Sequence, residues 1–508
     1  MAQTLAYPDV KEQLKDNAAL CIYGIGDGSL YAQLKAWLKK DPERYLIFVE
    51  EEERLFLQAK QWPLAQDPQV RLFFYARENQ EIFSQIAWEF LFLKMAYVSA
   101  DADSSTPFFA QLEHVQNAAA LFASDWRDKG EKVLSNHLRN LFFFSNALLG
   151  DSLKDSCKGI PAILCGAGPS LNAAMPLLGS LKDKALLIAG GTALSALGAH
   201  GIEPHLAAYL DPDPSRAAFS NQSIFETPFF YQSRFSCDLL SHVHGARIWM
   251  MGSGNFPLEE WLIQACEVNA ERCDSGWTVA NFCTAIALHL GCDPLILTGM
   301  DFACFEESVY AAGLSGDEHR DRFFIAGQKE GRELYSQRDW AMSALWISSL
   351  ACTHPERTWF TLSDGLDMQG LEKTTLGAIA SQHLAKSYDM SAHLHSALEH
   401  SAHLAIPKEK ISGTLFTLKE SFKNVLQQAN ALLALWEKQF PKSPKEMHEY
   451  ALHEIELQNE SAFRYFLEPL WNMWKHPILR KEQHPFGREL HRILFFKNTV
   501  ETSMRVFS

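Results

Sequence analysis

Between Ala162 and Thr298 the chain repeatedly produces a short apolar run that stops at a glycine, an aspartate or a proline. The runs are Ala162–Cys165, Ala185–Ala189, Leu206–Leu210, Pro228–Tyr231, Ile248–Met251 and Leu295–Thr298. Such runs are too short for helices, and they lack the in–out alternation of a half-solvated strand. Strands covered by helices on both faces read this way, so the pattern predicts a mostly parallel, doubly wound sheet. In such a sheet the strand-to-helix turns lie along one edge, where ligands bind.

A shorter version of the pattern precedes it. Leu20–Tyr23, Tyr45–Val49 and Arg71–Tyr75 read as strands, and Gly24, Gly26 and Gly28 punctuate the first turn. From Glu81 to about Leu149 the spacing predicts helix. After Gly370, apolar residues recur at helical spacing through Leu415, Leu418, Phe422, Val425, Leu426 and Ala429. The expected division is an α/β domain over residues 1–130, a second α/β domain over 131–370 and an all-helical domain over 371–508.

Composition excludes several function classes. With 46 Lys and Arg against 61 Asp and Glu, the net charge of −15 gives no general attraction to nucleic acid or anionic membrane. At 47% hydrophobic and 21% charged residues, the 508-residue chain is that of a folded protein. The opening segment MAQTLAYPDVKEQLKD lacks the order of a signal peptide, and apolar stretches such as Leu141–Leu149 are too short to span a bilayer. The ten cysteines form no CxxC pair, and nine fall between Cys157 and Cys352. Reduced thiols and a cytoplasmic location are expected.

Candidate chemistry lies at three strand ends. In Ala162-Ile-Leu-Cys-Gly-Ala-Gly-Pro-Ser-Leu-Asn172, Gly166 and Gly168 let a ligand approach the backbone. Pro169 suits the first helical position, and Ser170 adds a hydroxyl to the unpaired N–H groups of a helix start. A phosphate site or a plain strand–helix turn both fit. The next unit leads through Gly190-Gly191-Thr192 to Asp211-Pro212-Asp213-Pro214. Asp211 and Asp213 can hold Mg²⁺ on a diphosphate, act as a base, accept from a sugar hydroxyl, or cap a proline-stiffened turn. No cofactor is required by the pattern; magnesium is the metal this loop would recruit, with Asp213 as its ligand. The third strand ends in Gly299-Met300-Asp301, and Ser275-Gly276-Trp277-Thr278 opens an apolar helix over Val279–Leu290 beside it. His393, His395, His400 and His403 read as a solvated helix face rather than a metal site.

These residues carry a resemblance. Gly166-Ala-Gly-Pro-Ser-Leu171, Gly191–Leu194, Gly201-Ile-x-Pro204, Asp211-Pro212 and Gly299-x-Asp301 stand in the order found in the motility-associated-factor glycosyltransferases and the related hydroxymethylpterin diphosphokinases. The segment Trp359–Gly370 resembles the end of their central domain. This chain has Gly299-Met-Asp-Phe-Ala303 and Asp364-Gly-Leu366 where that family commonly shows Gly-Gln-Asp-Leu-Ala and Glu-Gly-Gly. The resemblance implies an N-terminal Rossmann-like domain, a central Rossmann-like transferase domain and a helical C-terminus. It implies transfer of a nonulosonic sugar from a CMP-linked donor to Ser or Thr of a protein such as flagellin. Gly166, Gly168, Pro169, Ser170, Thr192, Gly276, Thr278 and Gly299 would then line the nucleotide cleft, with Asp211 and Asp301 at the reaction centre. A diphosphokinase acting on a pterin-like alcohol and a non-catalytic nucleotide-binding or assembly protein are the alternatives. The helical tail is expected to dock the protein acceptor, to cover the sheet or to make an oligomer.

Overall fold

The structure is a computed structural model that describes residues 10, 14–99, 102–214, 225–253, 256–305, 310–311, 323–438, 444–482 and 484–507. The chain divides into two compact units, residues 1–125 with 423–502, and residues 126–422 with 503–508.

The first unit is built on β1 (Ala19–Tyr23), β2 (Tyr45–Glu50), β3 (Val70–Phe74) and β4 (Met95–Ser99), parallel in the order β3-β2-β1-β4. Strand β4 lies in a stretch expected to be helical; the sheet supplies the partner that five residues of mixed character need. Alternate residues of β1 and β2 serve opposite faces. Leu20, Ile22, Leu46 and Phe48 pack with helix Ser29–Leu38, while Cys21, Ile47 and Val49 pack with helix Glu81–Glu89. The glycine turn does adopt positive φ at Gly24, Gly26 and Gly28. The Glu50 carboxylate at the end of β2 accepts from the Ile25 and Glu52 N–H groups, both at 2.9 Å, and so closes that turn from within. In the same unit, Trp474 lies 5.9 Å from the Phe92 ring and Arg480 donates to Leu91 O at 3.0 Å. Helix Glu468–Leu479 thus packs beside helix Glu81–Glu89 of this unit.

The second unit holds a nine-stranded parallel sheet. Its strands are β5 (Leu148–Leu149), β6 (Ala162–Cys165), β7 (Leu186–Gly190), β8 (Leu206–Tyr209), β9 (Phe229–Tyr231), β10 (Arg247–Trp249), β13 (Leu295–Thr298), β16 (Trp359–Thr361) and β17 (Glu372–Lys373). They lie in the order β17-β16-β13-β6-β7-β8-β9-β10-β5. The run expected over Ile248–Met251 divides: its last residue enters β11 (Met251–Gly252), which pairs with β12 (Arg272–Cys273) in a separate ribbon. An antiparallel hairpin, β14 (Phe324–Lys329) and β15 (Arg332–Ser336), follows β13. From β6 the chain moves outward through β7, β8, β9 and β10, then returns to the other side of β6 as β13 and β16. The order therefore reverses between β6 and β13, the position where open α/β sheets form a crevice.

Strand β6 is buried along its whole length, with Leu164, Leu186, Ile188 and Leu297 in one core with Phe282 and Ile286 of helix Val279–His289. Close approach of that helix depends on Gly190, where a Cβ would lie 2.3 Å from Val279 Cγ1 and 2.6 Å from Ala208 O. We expect Gly190→Ala to push the helix off the sheet and cost about 1–3 kcal/mol, read as a lower urea midpoint. An unchanged midpoint contradicts this packing.

Candidate functional site

Two turns are in backbone contact at the reversal point. Gly166 N–H donates to Thr298 O and Gly168 N–H to Gly299 O, each at 2.8 Å. A Cβ on Gly166 would stand 2.3 Å from Gly299 O, and one on Gly299 would stand 2.1 Å from Gly166 O. Gly299 also has φ +64°, so glycine answers both a steric and a conformational demand there. Pro169 lies in a turn rather than at the first helical residue: Leu171 N–H donates to Gly168 O, and the helix is Leu171–Leu178. Proline's fixed φ suits that turn as well as a helix start.

Asp301 fills the space these turns enclose. Its Oδ2 accepts from Ser170 N–H and Ser170 Oγ, both at 3.0 Å, and its Oδ1 accepts from Ser363 Oγ at 2.8 Å. The Asp364 N–H donates to it as well. Ser170 Oγ in turn accepts from Gly299 N–H at 2.8 Å. A Cβ on Gly168 would collide with Asp301 Oδ2 at 2.3 Å, and one on Gly365 with Asp301 O at 1.9 Å. The open space at Gly168 is thus occupied by this chain's own carboxylate, and the Ser170 donors point at it. Burial pushes the Asp301 carboxyl above the ordinary range, against the opposing pull of Ser170, Ser363 and the Asp364 N–H.

The other candidates lie along the same edge. Gly191, with φ +59°, precedes helix Thr192–Ala199, whose start has no side-chain cap. A Cβ on Gly191 would lie 3.8 Å from Val279 and 3.9 Å from the Tyr209 ring, so the turn carrying Thr192, the end of β8 and the helix opened by Thr278 adjoin one another. Thr278 caps helix Val279–His289 in a reciprocal box with Asn281, and Ser343 Oγ donates to Thr278 Oγ1 at 3.3 Å. Gly276 is at φ +58°, where a Cβ would lie 2.6 Å from Asn281 Cβ. Gly276 and Thr278 therefore shape a helix start.

Asp211 Oδ1 pairs with Lys129 Nζ at 2.9 Å and accepts from Asp213 N–H at 3.1 Å. Asp213 pairs with Lys132. Asn136 Nδ2 donates to Pro212 O and Arg234 O, each at 3.0 Å, and Asn140 Nδ2 donates to Ser233 O at 2.9 Å and Phe235 O at 2.7 Å. Lys129, Lys132, Asn136 and Asn140 share one face of helix Ala102–Asn140 and hold the loops after β8 and β9. Sequence reasoning missed them, and Ser363 and Gly365 too. The available signal was a polar stripe at helical spacing on an otherwise amphipathic helix. Among the described residues no group of three His, Cys, Asp or Glu is placed to hold a metal ion. His393 faces Ser156 O at 2.7 Å and His395 pairs with Glu399, so the histidines of that segment do not converge. All ten cysteines are free thiols, and no described helix is long and apolar enough to cross a membrane.

The raised Asp301 carboxyl has a stability consequence. Its contribution is full below the ordinary aspartate range and falls as pH rises through the raised native value. Asp301→Asn, which turns an NH₂ toward several donors, should cost about 1–3 kcal/mol in urea unfolding. The difference between wild type and variant should narrow from pH 4 toward pH 8; a difference that widens contradicts the assignment.

The family described as 6-hydroxymethylpterin diphosphokinase MptE-like matches residues 135–307. That span includes every sequence-predicted site residue from Gly166 to Asp301, but not Ser363 or Gly365. No curated protein matches the chain by sequence. Among solved structures, the fold is similar to that of MAf glycosyltransferase from Magnetospirillum magneticum AMB-1. The TM-score is 0.56 at 14% identity, over 96% of this chain and 78% of that one. Residues 135–307 thus resemble the MptE-like family, in a chain whose fold is similar to that of a MAf glycosyltransferase.

Proposed function

We propose that the protein is a glycosyltransferase that moves a nonulosonic, sialic-acid-like sugar from a CMP-activated donor to Ser or Thr of a protein such as flagellin. The observation that carries the reading is the set of strand ends at the reversal of the sheet, in a fold shared with a protein named as a glycosyltransferase. Asp301 is a positioning residue in this scheme, because its oxygens are taken up by Ser170, Ser363 and Asp364. The donor phosphate is received by the uncapped start of helix Thr192–Ala199, where N–H groups and the helix dipole favour an anion. Lys129 exchanges Asp211 for that phosphate, which frees a carboxylate with a side chain 34% exposed. Asp211 then accepts the proton of the acceptor hydroxyl or orients it for attack on the anomeric carbon, as the bond from that carbon to the phosphate oxygen breaks and CMP leaves.

The family match favours a second reading, diphosphate transfer from ATP to a 6-hydroxymethylpterin-like alcohol. There the magnesium ion that arrives with ATP would meet Asp211 and Asp213 only after displacing Lys129 and Lys132. Calorimetric titration with CMP and with ATP, each with and without Mg²⁺, separates the two. CMP binding without metal supports glycosyl transfer, Mg²⁺-dependent ATP binding supports the diphosphokinase, and binding of neither points to a non-catalytic role. For the first reading, Asp211→Asn should lower turnover by roughly 100-fold without weakening CMP binding, because the change also releases Lys129 to the phosphate. Full activity in that variant returns Asp211 to a turn-capping role.

A further inference from the structure

Beyond the carboxyl ends of β9 and β10, away from Asp301, a second group of polar side chains is buried. Gln232 follows β9, Glu259 lies in the first turn of helix Pro257–Ala265, and His137 lies near the end of helix Ala102–Asn140. Their relative exposures are 4%, 6% and 3%. His137 Nδ1 is 2.7 Å from Val133 O and its Nε2 is 3.5 Å from Glu259 Oε2. Both ring nitrogens therefore face acceptors, Val133 O and the Glu259 carboxylate. Burial pushes the Glu259 carboxyl up, but His137, Ser233 and Arg234 together hold it below its usual range, so Glu259 is an anion.

One atom on each of two side chains is left over. Glu259 Oε1 and Gln232 Nε2 are buried without a hydrogen-bond partner among the described residues, although Gln232 Oε1 accepts from Ser275 Oγ at 3.3 Å. Leaving such groups unpaired costs about 1–3 kcal/mol each, and native proteins satisfy the great majority of them. The two side chains border the same space. A Cβ on Gly252 would lie 3.1 Å from Glu259 Oε2 and 3.7 Å from Gln232 Oε1. Gly252 is partly exposed and does not have positive φ, so its backbone does not require glycine. What the glycine supplies is room beside a carboxylate and an amide.

An unpaired acceptor and an unpaired donor on two side chains that border one space select a neutral group that both donates and accepts. A phosphate or carboxylate would be repelled by Glu259, and an ammonium would leave the Gln232 amide unsatisfied. A hydroxyl answers both, donating to Glu259 Oε1 and accepting from Gln232 Nε2. Strand β9 is two steps from β7 in the sheet, about 10 Å, which is within reach of a sugar whose phosphate rests at Thr192. We propose that Gln232 and Glu259, opened by Gly252, form the subsite that takes a hydroxyl of the donor's sugar; this rests on the sugar-nucleotide reading above.

The test is calorimetry on the full chain with CMP and with CMP-N-acetylneuraminic acid, for wild type, Gly252→Ala and Gln232→Leu. Gly252→Ala fills the space while keeping every polar group, and Gln232→Leu removes the unpaired donor at similar volume. Thermal melts confirm that each variant is folded. Both variants should bind CMP within about twofold of wild type and bind the sugar nucleotide at least about tenfold more weakly, the loss of one hydrogen bond to a charged or buried partner. If the folded variants weaken both ligands equally, or neither, or if wild type binds the sugar nucleotide no tighter than CMP, the subsite is wrong while CMP binding stands. If wild type binds neither ligand, the sugar-nucleotide reading falls and the subsite falls with it.

Discussion

The Asp301 carboxylate is buried where the strand order of the large sheet reverses, and it ties together the turns that follow β6, β13 and β16. Ser170 reaches it from the first, Ser363 and the Asp364 N–H from the last, and Asp301 itself belongs to the second. Each tie needs a glycine. Gly166 and Gly299 bring two backbones into contact, Gly168 clears the carboxylate, and Gly365 clears the Asp301 carbonyl. A buried hydrogen-bonding partner left unpaired is costly. Loss of any one member therefore disturbs three loops at once.

That arrangement decides which part of the edge remains open to chemistry. A glycine-rich turn leading to a helix is an anion site only while its N–H groups lack partners. Here the Ser170 N–H and hydroxyl already hold the Asp301 carboxyl. The uncapped start of helix Thr192–Ala199 and the lysine-paired loop of Asp211 and Asp213 lie further along the edge. Their carboxylates and ammonium groups are partly exposed, so solvent screening keeps each pair weak and exchangeable. Rigid turns at the reversal point and exchangeable charges beside β7 and β8 leave this edge with one fixed stretch and one adaptable stretch.

Helix Ala102–Asn140 contributes more to this edge than its sequence announces. One face of its last turns meets the loops after β8 and β9 through Lys129, Lys132, Asn136 and Asn140. The asparagines donate to backbone carbonyls that would otherwise be buried unpaired, which fixes where Asp211 and Asp213 stand. The C-terminal helices divide their packing in a comparable way, since residues 423–502 belong with the N-terminal sheet while 126–422 form the larger unit.

Six apolar runs with their glycine and aspartate stops were enough to name a parallel doubly wound sheet, because a strand buried on both faces has no other way to be written. Ala162–Cys165 and Leu295–Thr298 were legible to the residue, and Thr278 was legible as a helix start because capping is local chemistry. Strand β4, the short strands β5, β16 and β17, and the division of Ile248–Met251 were not, since their pairing is decided by their neighbours in the sheet rather than by local pattern. The candidate site divides on the same line. Sequence alone determined that glycines, Ser170, Asp211 and Asp301 would stand at strand ends, because local propensity and hydrophobic period are properties of neighbouring residues. Only the tertiary structure decided that Asp301, 131 residues after Ser170, occupies that turn's donors, and that lysines 82 and 81 residues earlier pair with Asp211 and Asp213. Contacts at such separations depend on strand order and helix placement, which no local pattern encodes.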